Sequence, residues 1–414
     1  MSSIAGRRPG AAPAAGSGRR LRVVDATVDA LLSALPAALA GDGPALAPVD
    51  RSEASIGASR EHERTFRTDQ PLERDDVAVV LATSGSTGEP KAALLSASAL
   101  LHSARATLER LGGPGGWTLA LPVSRIAGLQ VLVRSLLAGT HPVPVARPFT
   151  AEAFCAATAR LLSRDESRRY TALVPTQLVR LLDAGPSAID ALRSYDAILV
   201  GGAAAPATLL DRARSAGIAV VTTYGMTETC GGCVYDGVPL DGVRIALDDR
   251  DGSGQGRIRI GGPVVFAGYR LRPDLTAQAL VDGWHVTDDV GRWTTDGRLE
   301  VLRRIDDVVI SGGVNVPLPA VDQAVGSFPG VAEAAAVGVP DPEWGARIVA
   351  YVVLQPGAPV PALADVRAHV AAHHPVAYAP RELIVVDALP VLSSGKLDRA
   401  ALVAAASGRS DRVG

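Results

Sequence analysis

From about Asp75 to Thr229, short apolar runs alternate with stretches of helical apolar spacing. "VAVVLA", "WTLALP", "HPVPVA", "TALVP", "AILVGG" and "IAVVTTYG" have strand length, and helix candidates fall between most of them. The plainest helix, "SASALLHSARATLERLG", closes at Gly112. Such alternation predicts a parallel, doubly wound sheet, with ligands at the C-terminal ends of its strands. Three polar, glycine-bearing loops fall at such ends: "TSGSTG", "VGGAAAP" and "TTYGMTE". The pattern therefore predicts one site on one sheet edge.

After Gly237 the pattern changes. "VRIAL", "GRIRIGG", "VVFAGY", "WHVTDDVGRW" and "RLEVLRR" alternate with turn residues and carry few helix signals, which predicts antiparallel β structure over about 237–304. Beyond it, helices ("LPAVDQAVGSF", "ALADVRAHVAAH", "LDRAALVAAA") mix with strands ("VAEAAAVGV", "RIVAYVVL", "RELIVVD"). The expected fold is α/β: a large N-terminal domain over 21–304 with doubly wound sheets and a β-rich subdomain, then a small α+β domain over 305–414. Residues 1–20, rich in Arg, Gly, Ala and Pro, read as a disordered tail.

Charge and composition narrow the function. With 414 residues, a formal net charge of -2 and 47% hydrophobic residues, the chain reads as globular, with neither a basic nucleic-acid face nor an acidic tail. No apolar run approaches the ~20 residues of a membrane helix, and the N-terminus lacks the apolar centre of a secretory signal. Three cysteines, Cys155, Cys230 and Cys233, suit reduced thiols in the cytoplasm. Cys230 and Cys233 form one C-x-x-C without a second ligand pair, so small buried residues beside a ligand are expected rather than a metal or redox site. His373-His374 reads as a solvated helix end.

The stretch "VVLATSGSTGEPKAALL" carries the first chemistry. Thr83, Ser84, Gly85, Ser86, Thr87 and Gly88 supply hydroxyls and freed backbone N–H groups, and Lys91 supplies charge, as a phosphate-holding loop between strand and helix requires. The Walker A spacing fails, because Gly85 is not followed at the right interval by Gly-Lys-Ser/Thr. A solvated Ser/Gly linker is the alternative.

Four further stretches complete a pattern: "YGMTETCGG", "WHVTDDVG", "LRRIDDVVISGGVNV" and "LPVLSSGKLDR". In this order, with the hydroxyl loop, they resemble the acyl-adenylate-forming superfamily of acyl-CoA synthetases, luciferases and peptide-synthetase adenylation domains, over about Asp76 to Val403. The resemblance implies an acid–thiol ligase using ATP, Mg2+ and CoA, with a small carboxylic acid as substrate. It further implies that the hydroxyl loop and Lys91 hold the β- and γ-phosphates, and that Glu228 is the magnesium-associated, catalytic carboxylate. Tyr224 would lie against the adenine ring and "GGAAA", with Gly201, Gly202 and Ala203, would line the base; Gly225 and Thr227 would also belong to the ATP/AMP site. Asp289 would accept the ribose hydroxyls with Arg304 beside it, and Lys396 would reach the α-phosphate during adenylation. Asp306 occupies the hinge position, and a homodimer is compatible with the pattern. Taken singly, Glu228 would read as a helix-start carboxylate, Asp289 and Arg304 as a structural ion pair, and Lys396 as a surface lysine.

"LPVSRIAGLQVLVRSLLAGTHPV" and "TALVPTQLVRLL" look most like the o-succinylbenzoate–CoA ligase group of menaquinone biosynthesis, with Arg125, Gly128, Pro175 and Thr176 as pocket residues. The chain departs from the superfamily where glycine is usual at Asp288 and Arg303, and where "LPxxH" becomes Leu121-Pro122-Val123-Ser124-Arg125. Other aryl- or acyl-acid ligases, carrier-loading enzymes and a non-catalytic nucleotide binder remain alternatives.

Overall fold

The computed structural model describes residues 18–50, 64–83, 91–305, 307–391 and 397–410. Ser84, Gly85, Ser86, Thr87, Gly88, Asp306 and Lys396 lie outside the described residues. The chain packs as two compact units: residues 1–245 with 260–286, and residues 246–259 with 287–414. Packing thus groups Ala246–Arg259 and Thr287–Arg304 with the C-terminal strands, whereas the sequence pattern joins them to the N-terminal domain.

The first unit contains two sheets. One, of five strands, runs β1 (Leu21–Asp25), β2 (Ala45–Val49), β3 (Val77–Thr83), β4 (Lys91–Ser96) and β14 (Gly268–Tyr269). Strands β1, β2 and β3 are parallel, and β3, β4 and β14 alternate in direction. Helix α1 (Val28–Ala40) connects β1 to β2 and is capped by the Thr27 hydroxyl. Arg19, assigned to the disordered tail by composition, is held by Gly43, Asp75 and Ala38 carbonyls. Its guanidinium can satisfy three carbonyls at once, which composition alone does not reveal.

The hydroxyl loop was expected between a strand and a helix. Instead β3 and β4 form an antiparallel hairpin, with Thr83 opposite Lys91. "AALLS" is buried throughout, so it forms a strand before the helix starts. Ser96 then caps α2 (Ala97–Arg110), its hydroxyl accepting from the Ala99 N–H at 3.2 Å. The helix itself falls where its apolar spacing predicts.

The second sheet has seven strands in the order β11 (Val238–Pro239), β10 (Gly231–Tyr235), β9 (Val220–Met226), β8 (Ala197–Val200), β7 (Arg169–Leu173), β5 (Gly116–Leu119) and β6 (Val143–Pro144). Strands β6, β5, β7, β8 and β9 are parallel. They are wound through α3 (Ile126–Ala138), α4 (Ala151–Leu162), α5 (Pro175–Asp183), α6 (Pro186–Arg193) and α7 (Ala207–Ser215). Strand β8, "AILV", is wholly buried, as a parallel strand covered on both faces should be. Phe154, Leu161, Leu178, Leu192 and Ile198 form part of the core on one face. The expected single edge is corrected here. Thr83 and Lys91, on either side of the hydroxyl residues, belong to the five-stranded sheet, while the other two polar loops leave the seven-stranded one.

Beyond Tyr235 the first unit includes β15 (Leu280–Val281), paired with the start of β16 (Trp284–Trp293). "VVFAGY" forms a strand only at Gly268–Tyr269, because the Phe266 and Ala267 N–H groups bond to Glu228 and Leu94 carbonyls instead. The sequence also missed a short helix, α8 (Pro273–Ala279).

In the second unit, β16 pairs antiparallel with β17 (Leu299–Arg304). A separate sheet runs β19 (Val314–Pro317), β18 (Val308–Ser311), β21 (Gly345–Leu354) and β20 (Val331–Asp341), with β22 (Glu382–Val385) beside β21. Helices α9 (Leu318–Gly326), α10 (Leu363–Ala371) and α11 (Arg399–Ser410) complete the mixed α and β content expected of this region. Val321, Val325, Ile348 and Val366 form part of one core, and Val337, Val349, Leu402 and Ala406 part of another. Arg399, at the start of α11, joins Asp307 (3.5 Å) and Asp322 (2.6 Å).

Candidate active site

Strands β5, β7, β8 and β9 are parallel neighbours, so the segments leaving their C-terminal ends share one edge. Arg125, Pro175, Gly201 and Tyr224 all stand at or just beyond those ends. The Gln177 side chain joins two of them, accepting from the Val174 N–H and donating to the Ala120 carbonyl. Pro175 opens α5 and is buried, with Thr176 exposed beside it. Arg125 is half-buried at the N-cap of α3 and gives no side-chain cap. Gly128, expected in the pocket, is where α3 meets the preceding loop. A Cβ there would sit 2.2 Å from the Pro122 carbonyl oxygen, so close packing alone accounts for the glycine.

Similar contact places "GGAAA" against "TTYG". A Cβ on Gly201 would lie 2.2 Å from the Thr223 hydroxyl, and Gly202 has a φ of 82°. Ala203 is exposed in the same loop. Gly225 faces Gly232 across β9 and β10, and its Cβ would meet the Gly231 carbonyl at 2.2 Å. Val221 to Met226 are only half-buried, in contrast to β8, so this strand leaves one surface uncovered where Tyr224 stands.

The turn Thr227–Thr229 follows β9 and presents Glu228. Its geometry is fixed by Thr229, whose hydroxyl accepts from the Met226 N–H and donates to the Gly231 carbonyl. The Glu228 carbonyl accepts from the Phe266 N–H at 2.9 Å. Its carboxylate oxygen Oε1 accepts from the Tyr269 hydroxyl at 2.8 Å. The Lys91 ammonium lies over the Tyr269 ring, 5.3 Å from its centre. Lys91 and the "MTE" turn are therefore neighbours, although they come from different sheets. Tyr269 makes the link, and sequence reasoning missed it. Its one signal was an aromatic after a glycine in "AGYR", which has no periodicity to mark it.

Cys230 and Cys233 are fully buried behind this turn, and Cys230 adopts a left-handed conformation with φ 52°. Burial pushes both thiols up, that of Cys233 to about 12. Cys155 is half-buried and also raised by burial, though less enclosed. Since the thiolate is the nucleophile, iodoacetamide at pH 8 should alkylate Cys155 alone in the folded protein and all three cysteines in urea. Rapid native alkylation of Cys230 or Cys233, read by mass spectrometry, would contradict their burial.

In the second unit, Asp289 stands directly opposite Arg304 on β16 and β17. Asp289 is buried, with 8% exposure. The Arg304 guanidinium lies 3.8 Å from Asp289 and 3.7 Å from Asp288, an ionic contact with both rather than a close bond with either. Asp288, standing where glycine is usual, is held at 2.8 Å by Arg257. The Asp289 N–H donates to the Thr287 hydroxyl, which fixes the strand here.

Comparison with known proteins agrees with these features. The AMP-binding enzyme family matches residues 21–270, and the AMP-binding enzyme C-terminal domain matches residues 320–396. A probable 2-succinylbenzoate–CoA ligase of Mycobacterium tuberculosis is 46% identical over 92% of this chain and 96% of its own length. The 2-succinylbenzoate–CoA ligase of Enterococcus faecalis is 32% identical over 69% of this chain and 61% of that protein. Among solved structures, o-succinylbenzoate CoA synthetase from Bacillus subtilis, in complex with its acyl-adenylate intermediate, has a TM-score of 0.69. It is 30% identical, covering 80% of this chain and 70% of the other. Fold, ordered motifs and relatives together place the chain in the AMP-binding enzyme family, as an adenylate-forming CoA ligase.

Proposed function

We propose that this chain is an ATP-dependent 2-succinylbenzoate–CoA ligase of menaquinone biosynthesis. The observation that carries the substrate is the 46% identity with the Mycobacterium protein across nearly the whole of both chains. In the first step a carboxylate oxygen of the acid attacks the α-phosphorus of ATP. The bond to the β-phosphate oxygen breaks, and pyrophosphate leaves. In the second step the CoA sulfur attacks the acyl carbon, the C–O bond to AMP breaks, and the thiol proton passes to solvent.

The first step brings two anions together, so placed positive charge dominates its catalysis. Lys91 and the hydroxyl loop would hold the β- and γ-phosphates, and Lys396 the α-phosphate and the attacking carboxylate. Tyr224 and the Gly201–Ala203 loop would take the adenine, while Asp289 would accept the ribose hydroxyls, steadied by Arg304. Glu228 fits a magnesium ion, because a single carboxylate with one oxygen already bonded suits a cation held mostly by phosphate oxygens and waters. The ion supplies charge neutralisation at the phosphates. Asp306 would serve as the hinge between the two steps.

2-Succinylbenzoate has two carboxylates, one activated and one to be held. Arginine is always charged and grips a carboxylate through two hydrogen bonds, whereas histidine at this position would carry partial charge. Arg125 is assigned to the second carboxylate. Arg125→Ala should lower kcat/KM for 2-succinylbenzoate by about 1.5–3 kcal/mol, or on the order of 10- to 150-fold, and spare a monocarboxylate analogue. Equal losses for both acids would leave Arg125 outside the pocket. The proposal as a whole is tested by pyrophosphate release over a panel of acids without CoA. Selective release with 2-succinylbenzoate is expected, and preference for another acid would overturn the substrate.

A further inference from the structure

Between Lys91 and Glu228, two opposite charges assigned to the same nucleotide, stands a tyrosine that touches both. We infer that Tyr269 is a positioning residue for metal–nucleotide binding: it fixes one oxygen of Glu228 and keeps Lys91 apart from that carboxylate. The inference rests on the assignment of Glu228 to magnesium.

Tyr269 is itself rigidly placed. It lies on β14 opposite Ala93, next to the residue that begins the hydroxyl-loop strand's buried run. Its N–H donates to the Thr276 hydroxyl at 2.9 Å, and its ring meets Phe266 edge-on at 4.9 Å. Exposure of the residue is 7%. Arg270, immediately after it, is locked by backbone carbonyls of Phe66, Arg67, Gln70 and Pro71. A side chain held this firmly can orient its neighbour without reorganising when a ligand arrives.

The chemistry divides between hydroxyl and ring. Donating to Oε1 selects one rotamer of Glu228 and reserves Oε2 for the cation. The ring face attracts the ammonium without neutralising it, so Lys91 remains available to phosphate. With a small residue in place of Tyr269, no ring would stand between the ammonium and the carboxylate. Packing alone would also bury a tyrosine here, and its hydroxyl would then need a partner. The two accounts differ in what removing the hydroxyl does to metal binding.

Tyr269→Phe keeps the ring and removes only the hydroxyl. Manganese binding in the presence of a non-hydrolysable ATP analogue, followed by electron paramagnetic resonance, should weaken about tenfold, the scale on which supporting groups tune metal sites. The magnesium concentration for half-maximal adenylation should rise by a similar factor. Glu228→Gln is measured alongside. If Glu228→Gln weakens manganese binding and Tyr269→Phe does not, Tyr269 is a packing residue and the inference is overturned. If neither variant changes it, the assignment of Glu228 to the metal fails first. Melting temperature and circular dichroism of Tyr269→Phe separate either result from a loss of fold.

Discussion

Arg270→Met should destabilise the first unit by about 3–5 kcal/mol, enough to remove much of the stability of a typical domain. The Arg270 side chain is fully buried, and its guanidinium reaches Glu73 at 2.9 Å and four backbone carbonyls between Phe66 and Pro71. Glu73 also accepts from the Leu271 N–H, where the backbone takes a left-handed φ of 52°. Methionine fills similar volume but leaves all these acceptors without a donor. Urea unfolding measures the effect. A loss under about 1 kcal/mol would mean that the carbonyls find water and that Arg270 is not the pin of this region.

Lys396→Ala should reduce adenylate formation by at least about 10²–10³-fold, the cost of removing one preorganised charge at a reacting anion. Thioester formation from supplied acyl-AMP should proceed largely as in the parent protein, because the role proposed for Lys396 needs its ammonium only while charge builds on the α-phosphate. The two half-reactions are followed separately, by pyrophosphate release and by thioester product. Equal loss in both would mean that the substitution harms the fold or that Lys396 serves another step.

The parallel sheet was legible because its strands are short apolar runs separated by helical spacing, as "AILVGG" and "TALVP" show. The hairpin β3–β4 was not, because "AALLSASALL" is interrupted only by Ser96 and Ser98 and the strand inside it has no period of its own. The residues proposed for the nucleotide site stand out in the sequence as ordered motifs. Their companions were not: Tyr269 reaches Glu228 across 41 positions, and Arg270 reaches Phe66 across 204. Such contacts depend on which strands become neighbours, and local patterning does not encode that pairing. Gly128 teaches the reverse lesson. It was placed in the pocket by motif, yet the nearby Pro122 carbonyl is reason enough for a glycine.

The ligase activity is decided by incubating the protein with 2-succinylbenzoate, ATP, Mg2+ and CoA and identifying the products by mass spectrometry. 2-Succinylbenzoyl-CoA and AMP are expected in equal amounts, with no thioester when ATP is omitted. AMP accumulating without the thioester, or a thioester formed readily from another acid but not from 2-succinylbenzoate, would contradict it.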